Sequence, residues 1–195
     1  MANMAAAKPA GVTRIVFQEV LPGDRLKFAA QSNTTPSGGG ARDLRYNDPA
    51  FGPVFRSMFP KTETEDRKRG GVTKSVTVHV GEIWTTHEEK PEQIADVTYE
   101  PPTDARPSEG RLTKVHGMPG LNEKLPDETD EKLFLLFVQQ DDGKVYAHFA
   151  TLSQLANWHE AVHSPINACA ASAQGTTRKV AGWIDFTTNK SYCHK

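Results

Sequence analysis

Apolar and polar positions alternate along much of this chain in short runs bounded by turn residues. Such runs predict strands at "TRIVFQEV" from Thr13, "RLKFAAQ" from Arg25, "VTKSVTVHVGEIW" from Val72, "DVTYE" from Asp96, "RLTKVH" from Arg111, "KLFLLFVQQ" from Lys132, "KVYAHFAT" from Lys144 and "KVAGWIDF" from Lys179. Each is rich in β-branched or aromatic residues and stops at Gly, Pro or Asp, which favour turns over extended pairing. The tightest of these stops, "QDDGK" between the sixth and seventh runs, predicts a hairpin.

Two segments switch to helical spacing. In "DPAFGPVFRSMFP", Phe51, Val54, Phe55, Met58 and Phe59 recur on one face after an aspartate suited to capping and a proline suited to a first turn, and Pro60 ends the run. In "TLSQLANWHEAVHSP", Thr151 is the expected cap, Leu152, Leu155 and Val162 share a face, and Pro165 is the expected stop. Many short strands with two short helices and no internal repeat predict a mainly β fold, a pseudobarrel of short mixed strands whose open ends are plugged by helices. The expected organisation is a flexible lead-in over residues 1–12 and a single domain over 13–195. Within it, the residues from Asn167 onward either join the barrel or form an appended tail.

Composition narrows the class. The chain has 195 residues, 37% hydrophobic and 24% charged. That suits one domain with its own core, and no long apolar run points to a membrane span. The opening "MANMAAAKPAGVTR" lacks the apolar centre of a signal peptide, so a cytoplasmic protein is the default expectation. Cys169 and Cys193 could pair, but they have no metal-ligand spacing and are too few for a disulfide scaffold, so free thiols are the expectation.

The net charge of −1 gives no global attraction to nucleic acid, but the charges are segregated. Arg42, Arg45, Arg56, Lys61 and the run Arg67, Lys68, Arg69 fall early, whereas "NEKLPDETDEK" gathers acid from Asn122 to Lys132. A basic face on a neutral protein is compatible with this distribution. Two loops carry candidate chemistry. "SNTTPSGGGARDLRY" joins glycines that permit close backbone approach to Arg42, Arg45 and Tyr46. "PPTDARPSEGRLTKVH" sets Arg106, Ser108, Glu109, Arg111 and Lys114 among turn formers. Guanidinium forks bind phosphate or guanine bidentately, and Ser108 suits phosphate or base. Glu109 suits either a cytosine amine or the task of holding an arginine in place. The competing reading is a pair of ordinary charged surface loops.

The order of these features resembles the amino-terminal effector-binding domain of the EcoRII restriction endonuclease, a DNA-binding pseudobarrel related to the plant B-three transcription-factor domain. The likeness runs from about Val16 to about Ile166. It consists of a Thr/Gly-Gly loop ending in tyrosine, a helix closing in "SMFP", an Arg-x-x-Glu-x-Arg loop in "RPSEGRLTKV", and the hairpin "LFLLFVQQDDGKVYAHF". The resemblance implies a wrench-like grip on the major groove of double-stranded DNA. Arg42, Arg45 and Tyr46 would belong to one arm, and Arg106, Glu109 and Arg111 to the other. Ala41 stands where the family has a histidine, so base preference does not transfer. A nuclease carboxylate set is not recognisable; Asp185 and Lys190 come nearest. The expectation is a reader without its own cutter, either free-standing or a module working with a nuclease domain or partner protein in restriction-modification, with no cofactor and no oligomeric state implied.

One motif competes. "HEAVH", from His159 to His163, satisfies H-E-x-x-H, in which two histidines one helical turn apart hold zinc and the glutamate serves as general base. It makes a small zinc metallopeptidase the alternative. Against it stand Pro165 directly downstream and the lack of a third ligand in a following "GxxH". The sequence reading therefore favours the DNA reader and assigns no catalytic or metal-binding residue.

Overall fold

The computed structural model of the protein describes residues 9–29, 43–69, 71–86, 91–104, 106–113, 124–128, 130–175 and 179–194. Ten strands form one mixed sheet that curls into a half-barrel, an open pseudobarrel of mainly β structure. They are β1 (Val12–Glu19), β2 (Leu44–Tyr46), β3 (Lys61–Arg69), β4 (Val72–Thr86), β5 (Pro91–Glu100), β6 (Gly110–Thr113), β7 (Leu133–Gln140), β8 (Val145–Thr151), β9 (Ala181–Asp185) and β10 (Lys190–His194). Their order across the sheet is β10-β9-β1-β7-β8-β4-β5-β6-β2, with β3 paired to β4, and β4–β8 is a parallel pairing among antiparallel ones.

The near-continuous apolar runs of β1 and β7 reflect burial on both faces. Val16, Leu135 and Phe137 face the barrel interior, while Ile15, Phe17, Phe134 and Leu136 face a second core under the carboxy-terminal helix. "QDDGK" makes the predicted hairpin: Gly143 adopts φ 84°, a left-handed conformation glycine reaches without strain, and its amide donates to Gln140 O at 3.0 Å.

Helix α2 (Phe51–Met58) forms where the periodicity placed it. Asp48 Oδ1 accepts the Ala50 amide at 2.8 Å just before it. Its buried Phe51, Val54, Phe55 and Met58 plug the barrel, with Phe55 stacked on Tyr99 at 4.8 Å.

Three sequence expectations are corrected. "RLKFAAQ" is not a strand; its first residues lie in helix α1 (Pro22–Ala29). Asp24 takes the Leu21 amide on its carboxylate at 3.2 Å, and among the side chains of this helix that are described Asp24 and Phe28, four residues apart, are buried, a helical spacing. The second predicted helix is two helices. The Thr151 capping box starts only the single turn α3 (Leu152–Leu155), and α4 (Glu160–Ser172) runs straight through Pro165. Burial of Val162, Ile166, Cys169 and Ala170 against the sheet outweighs the hydrogen bond that proline forgoes. Finally, Cys169 and Cys193 are not free thiols but a disulfide joining α4 to β10.

After Asn167 the chain completes α4 and then joins the sheet, since β9 pairs with β1 and β10 with β9. The charged run "KTETEDRKR", β3, is a strand without an apolar stripe, most of its described side chains being solvent-facing. No helix among the described residues is long and apolar enough to cross a membrane.

Strand β10 is tied to the start of α2 through Asp48, whose carboxylate accepts from the Tyr192 hydroxyl and lies 3.1 Å from His194 Nδ1. Burial raises the Asp48 carboxyl, but hydrogen bonds from Tyr192, Ala50 and His194 outweigh it and hold the group below the usual range. The Tyr192 hydroxyl is pushed up to about 12 by burial and by the Asp48 hydrogen bond and charge. The fold therefore favours neutral Tyr192, so this contribution is complete below the unfolded tyrosine pKa of about 10 and is lost as pH rises through about 12. The melting temperatures of wild type and Tyr192→Phe should differ at neutral pH and converge as pH passes through that window. A constant gap would dissociate the tie from Tyr192 ionisation.

Candidate nucleic-acid interface

Alternation within β2 decides which of its side chains can meet a ligand. Leu44 and Tyr46 point into the barrel and Arg45 points out. Tyr46, expected at the DNA surface, is thus corrected to a core residue: it is 2% exposed and its ring lies 4.6 Å from that of Phe55. Burial, with Asp24 and Tyr99 nearby, holds its hydroxyl well above the normal tyrosine range.

Strand β6 pairs with β2, setting Arg111 opposite Arg45 and Gly110 opposite Tyr46. A β-carbon at Gly110 would sit 2.6 Å from the Tyr99 hydroxyl oxygen, so glycine is what lets this strand close over the core. On its other edge β6 pairs with β5, with Glu100 opposite Arg111. The turn before β6 is closed by paired backbone hydrogen bonds between Thr103 and Arg106, at 2.8 and 3.2 Å, and Ser108 is exposed within it.

These pairings bring residues from both predicted loops into one ionic network on the outer face. Glu109 Oε1 accepts from Arg106 at 3.3 Å and lies 3.7 Å from Arg111 Nε, while its Oε2 lies 3.5 Å from Arg45. Arg111 also donates to Glu100 Oε2 and, at 3.4 Å, to Asp43 Oδ2. The other oxygen of Glu100 takes Arg67 at 2.6 Å, and Arg67 reaches Glu65 at 2.7 Å. Hydrogen bonding to Glu100 outweighs burial and raises the Arg67 guanidinium further, so it remains charged throughout.

Four arginines face four carboxylates, but they lie at different depths. The side chains of Glu100, Asp43 and Glu109 are 9%, 9% and 17% exposed, those of Arg45 and Arg106 45% and 39%. These three carboxylates lie beneath Arg45 and Arg106, which makes the solvent side cationic there, whereas Glu65 at 33% stands level with Arg67 at 34%. Arg111, at 20%, is more a member of the scaffold than of the surface. Glu109, engaged with three arginines, has the geometry of a positioning residue.

Arg42, Gly38, Gly39, Gly40, Ala41 and Lys114 lie outside the described residues. Sequence reasoning missed Asp43, Glu65 and Glu100 as network members and noted Arg67 only as part of a basic run. The remaining outer face changes sign. An open cleft of about 520 Å³ beside Trp84 is lined by Glu63, Glu82, Asp96 and Asp142 as well as Lys61 and Lys144. A polyanion would be repelled from that end and directed towards the arginines.

The histidines of "HEAVH" do not share a helical face. His159 is the N-cap of α4, outside helical backbone angles, and its Nδ1 accepts the Ala161 amide at 3.2 Å. His163 Nδ1 lies 3.5 Å from Asn167 Nδ2. Among the described residues no group of three His, Cys, Asp or Glu side chains is placed to hold a metal ion.

No protein-family profile matches the chain, and no curated protein matches it at a significant level.

Proposed function

We propose that the protein is a sequence-specific reader of double-stranded DNA with no catalysis of its own, comparable to the effector-binding domain of a restriction endonuclease. The observation that carries this reading is the layered network, in which buried Glu100 and Asp43 and half-buried Glu109 hold arginines of two neighbouring segments. Arg45 and Arg106 are the phosphate- or guanine-binding groups, Arg111 and Glu109 fix their positions, and exposed Ser108 offers a further hydrogen-bonding group to the same ligand. Arg42 and Lys114 extend the same two segments in sequence and add to the positive charge.

Orientation before binding matters here. A guanidinium already held by a carboxylate gives up less side-chain entropy when it meets phosphate than a freely moving one. Arg45 and Arg106 are themselves 45% and 39% exposed, so solvent weakens their pairs with Glu109 and exchange of partners costs little.

Fluorescence anisotropy of a randomised duplex and of its cytosine-methylated copy, titrated at several salt concentrations, tests this. Binding should weaken linearly on a log–log plot, with a slope of roughly −0.9 for each phosphate neutralised. Selection from the pool should then yield a preferred site. Absence of binding at low salt would remove the reading and turn attention to metal content and the histidine pair.

A further inference from the structure

Two strands share one edge of β4 in succession. Strand β3 accompanies it as far as Lys61 opposite Val80, and β8 joins it only from Val145 opposite Ile83. Among the described residues, Gly81 and Glu82 therefore have no strand beside them on that edge, and both line the cleft of about 520 Å³. The start of β3 and the tip of the β7–β8 hairpin bound the cleft. Met58 and Phe59 bring the carboxy-terminal end of α2 to it, the negative pole of the helix dipole.

The acids of the cleft are not equivalent. Glu63 lies 3.2 Å from Lys61 and Asp142 lies 3.9 Å from Lys144, so each of these carboxylates already has a cation. Glu82 and Asp96 are exposed, and neither has an ion-pair partner among the described residues. They stand directly opposite one another on β4 and β5, which sets their β-carbons about 4.5–5.5 Å apart. Like charges at that separation destabilise a sheet pair, and a cation between them removes the repulsion.

Trp84, two residues along β4 from Glu82 and hence on the same face, supplies the aromatic wall and is half-buried. Its ring already faces a cation from the chain itself: the Lys144 ammonium lies 5.0 Å from the ring centroid. That contact identifies the chemistry the ring accepts. Lys144 is 45% exposed and 3.9 Å from Asp142, so solvent weakens its hold and a stronger cation can displace it.

We propose that this cleft binds an arginine side chain from a basic segment of a partner protein, with the guanidinium bridging Glu82 and Asp96 and lying against Trp84 in the place Lys144 otherwise holds. Arginine fits better than lysine, because a planar fork reaches two carboxylates and stacks on an aromatic ring, whereas an ammonium is a point charge. Charge complementarity selects the partner: the free acids attract a basic segment and repel a polyanion. The site does not depend on the duplex-reading function.

The probe is a fluorescein-labelled tetra-arginine peptide at low salt, titrated with wild type, the Glu82→Gln, Asp96→Asn double variant and Lys144→Ala. A control double variant, Asp127→Asn and Glu128→Gln, removes the same charge from exposed acids elsewhere. Melting temperatures confirm folding, and the Glu82→Gln, Asp96→Asn protein should melt no lower than wild type because it loses a repulsive pair. Wild type and control should bind alike. Removing Glu82 and Asp96 should weaken binding roughly tenfold or more, and Lys144→Ala should tighten it roughly two- to fivefold by clearing the ring. In proton–nitrogen correlation spectra the Trp84 indole signal, identified by its loss in Trp84→Phe, should move with added peptide. If the control loses binding as far as the cleft variant does, net charge accounts for the effect and the site is overturned. No binding by wild type or Lys144→Ala, weaker binding by Lys144→Ala, or an unmoved Trp84 signal would each overturn it as well.

Discussion

Replacing both Cys169 and Cys193 with serine is expected to lower the melting temperature by roughly 6–12 °C. The bridge spans 24 residues of sequence. Closing a loop of that size removes denatured-state entropy worth about 3 kcal/mol, and a chain this long loses roughly 2–4 °C per kcal/mol. The location magnifies the effect. Among the described residues β10 is the terminal strand of the sheet, paired with β9 alone, and the disulfide and the Asp48 contacts anchor it to α4 and to the start of α2 respectively. Wild-type protein in reductant should melt with the serine variant, and the difference should reappear on reoxidation. Thiol counting in denaturant without reductant should find two fewer reactive groups in the bridged form than in the reduced one. Equal melting temperatures for oxidised wild type and variant would show that the pair adds nothing to stability.

The disulfide was illegible in the sequence because nothing local encodes it: it depends on α4 continuing through Pro165 and on β10 returning beside β9. The β7–β8 hairpin and α2 were legible for the opposite reason. "QDDGK" and the Phe51, Val54, Phe55, Met58 spacing each determine their own local geometry. "RLKFAAQ" shows the limit of periodicity over few residues, since Leu26 and Phe28 fit an alternating strand while Asp24 and Phe28 fit a helix, and the turn at Leu21 and Asp24 settles the matter. β3 failed as a prediction because a ribbon solvated on most of its surface needs no apolar stripe.

The site follows the same division. That two segments carry clustered arginines could be read from the sequence, but that they share one ionic network could not, because Arg111 meets Asp43 across 68 positions of sequence. The Tyr46 error has a narrower cause. Once Leu44–Tyr46 is a strand, alternation sends Leu44 and Tyr46 to the interior and Arg45 to the surface. Read as loop, the same three residues carried no facing information.

Arg111→Ala and Arg106→Ala are expected to damage the protein in different ways, although both sit in the same short motif. Arg111 joins Glu100, Asp43 and Glu109, two of which are nearly buried. Its removal leaves those carboxylates with reduced compensation, at a cost to stability of about 3 kcal/mol, the lower end of the range for breaking a buried pair because Arg67 stays on Glu100. Duplex affinity in the protein that remains folded should fall roughly 10–100-fold, as Glu109 loses its central partner and Arg45 its fixed position. Among the described residues the Arg106 side chain pairs with Glu109 alone, and it is considerably exposed. Arg106→Ala should therefore leave the melting temperature within about 1–2 °C while weakening duplex binding by roughly tenfold and flattening its salt slope by about one. Lys at position 106 should restore the slope more fully than the site preference, because a point charge replaces a fork. Paired melting and anisotropy measurements check this. Unchanged duplex affinity in folded Arg106→Ala would exclude the arginine surface as the reading head, whereas a loss of stability in Arg106→Ala as large as that of Arg111→Ala would overturn the division between surface and scaffold arginines.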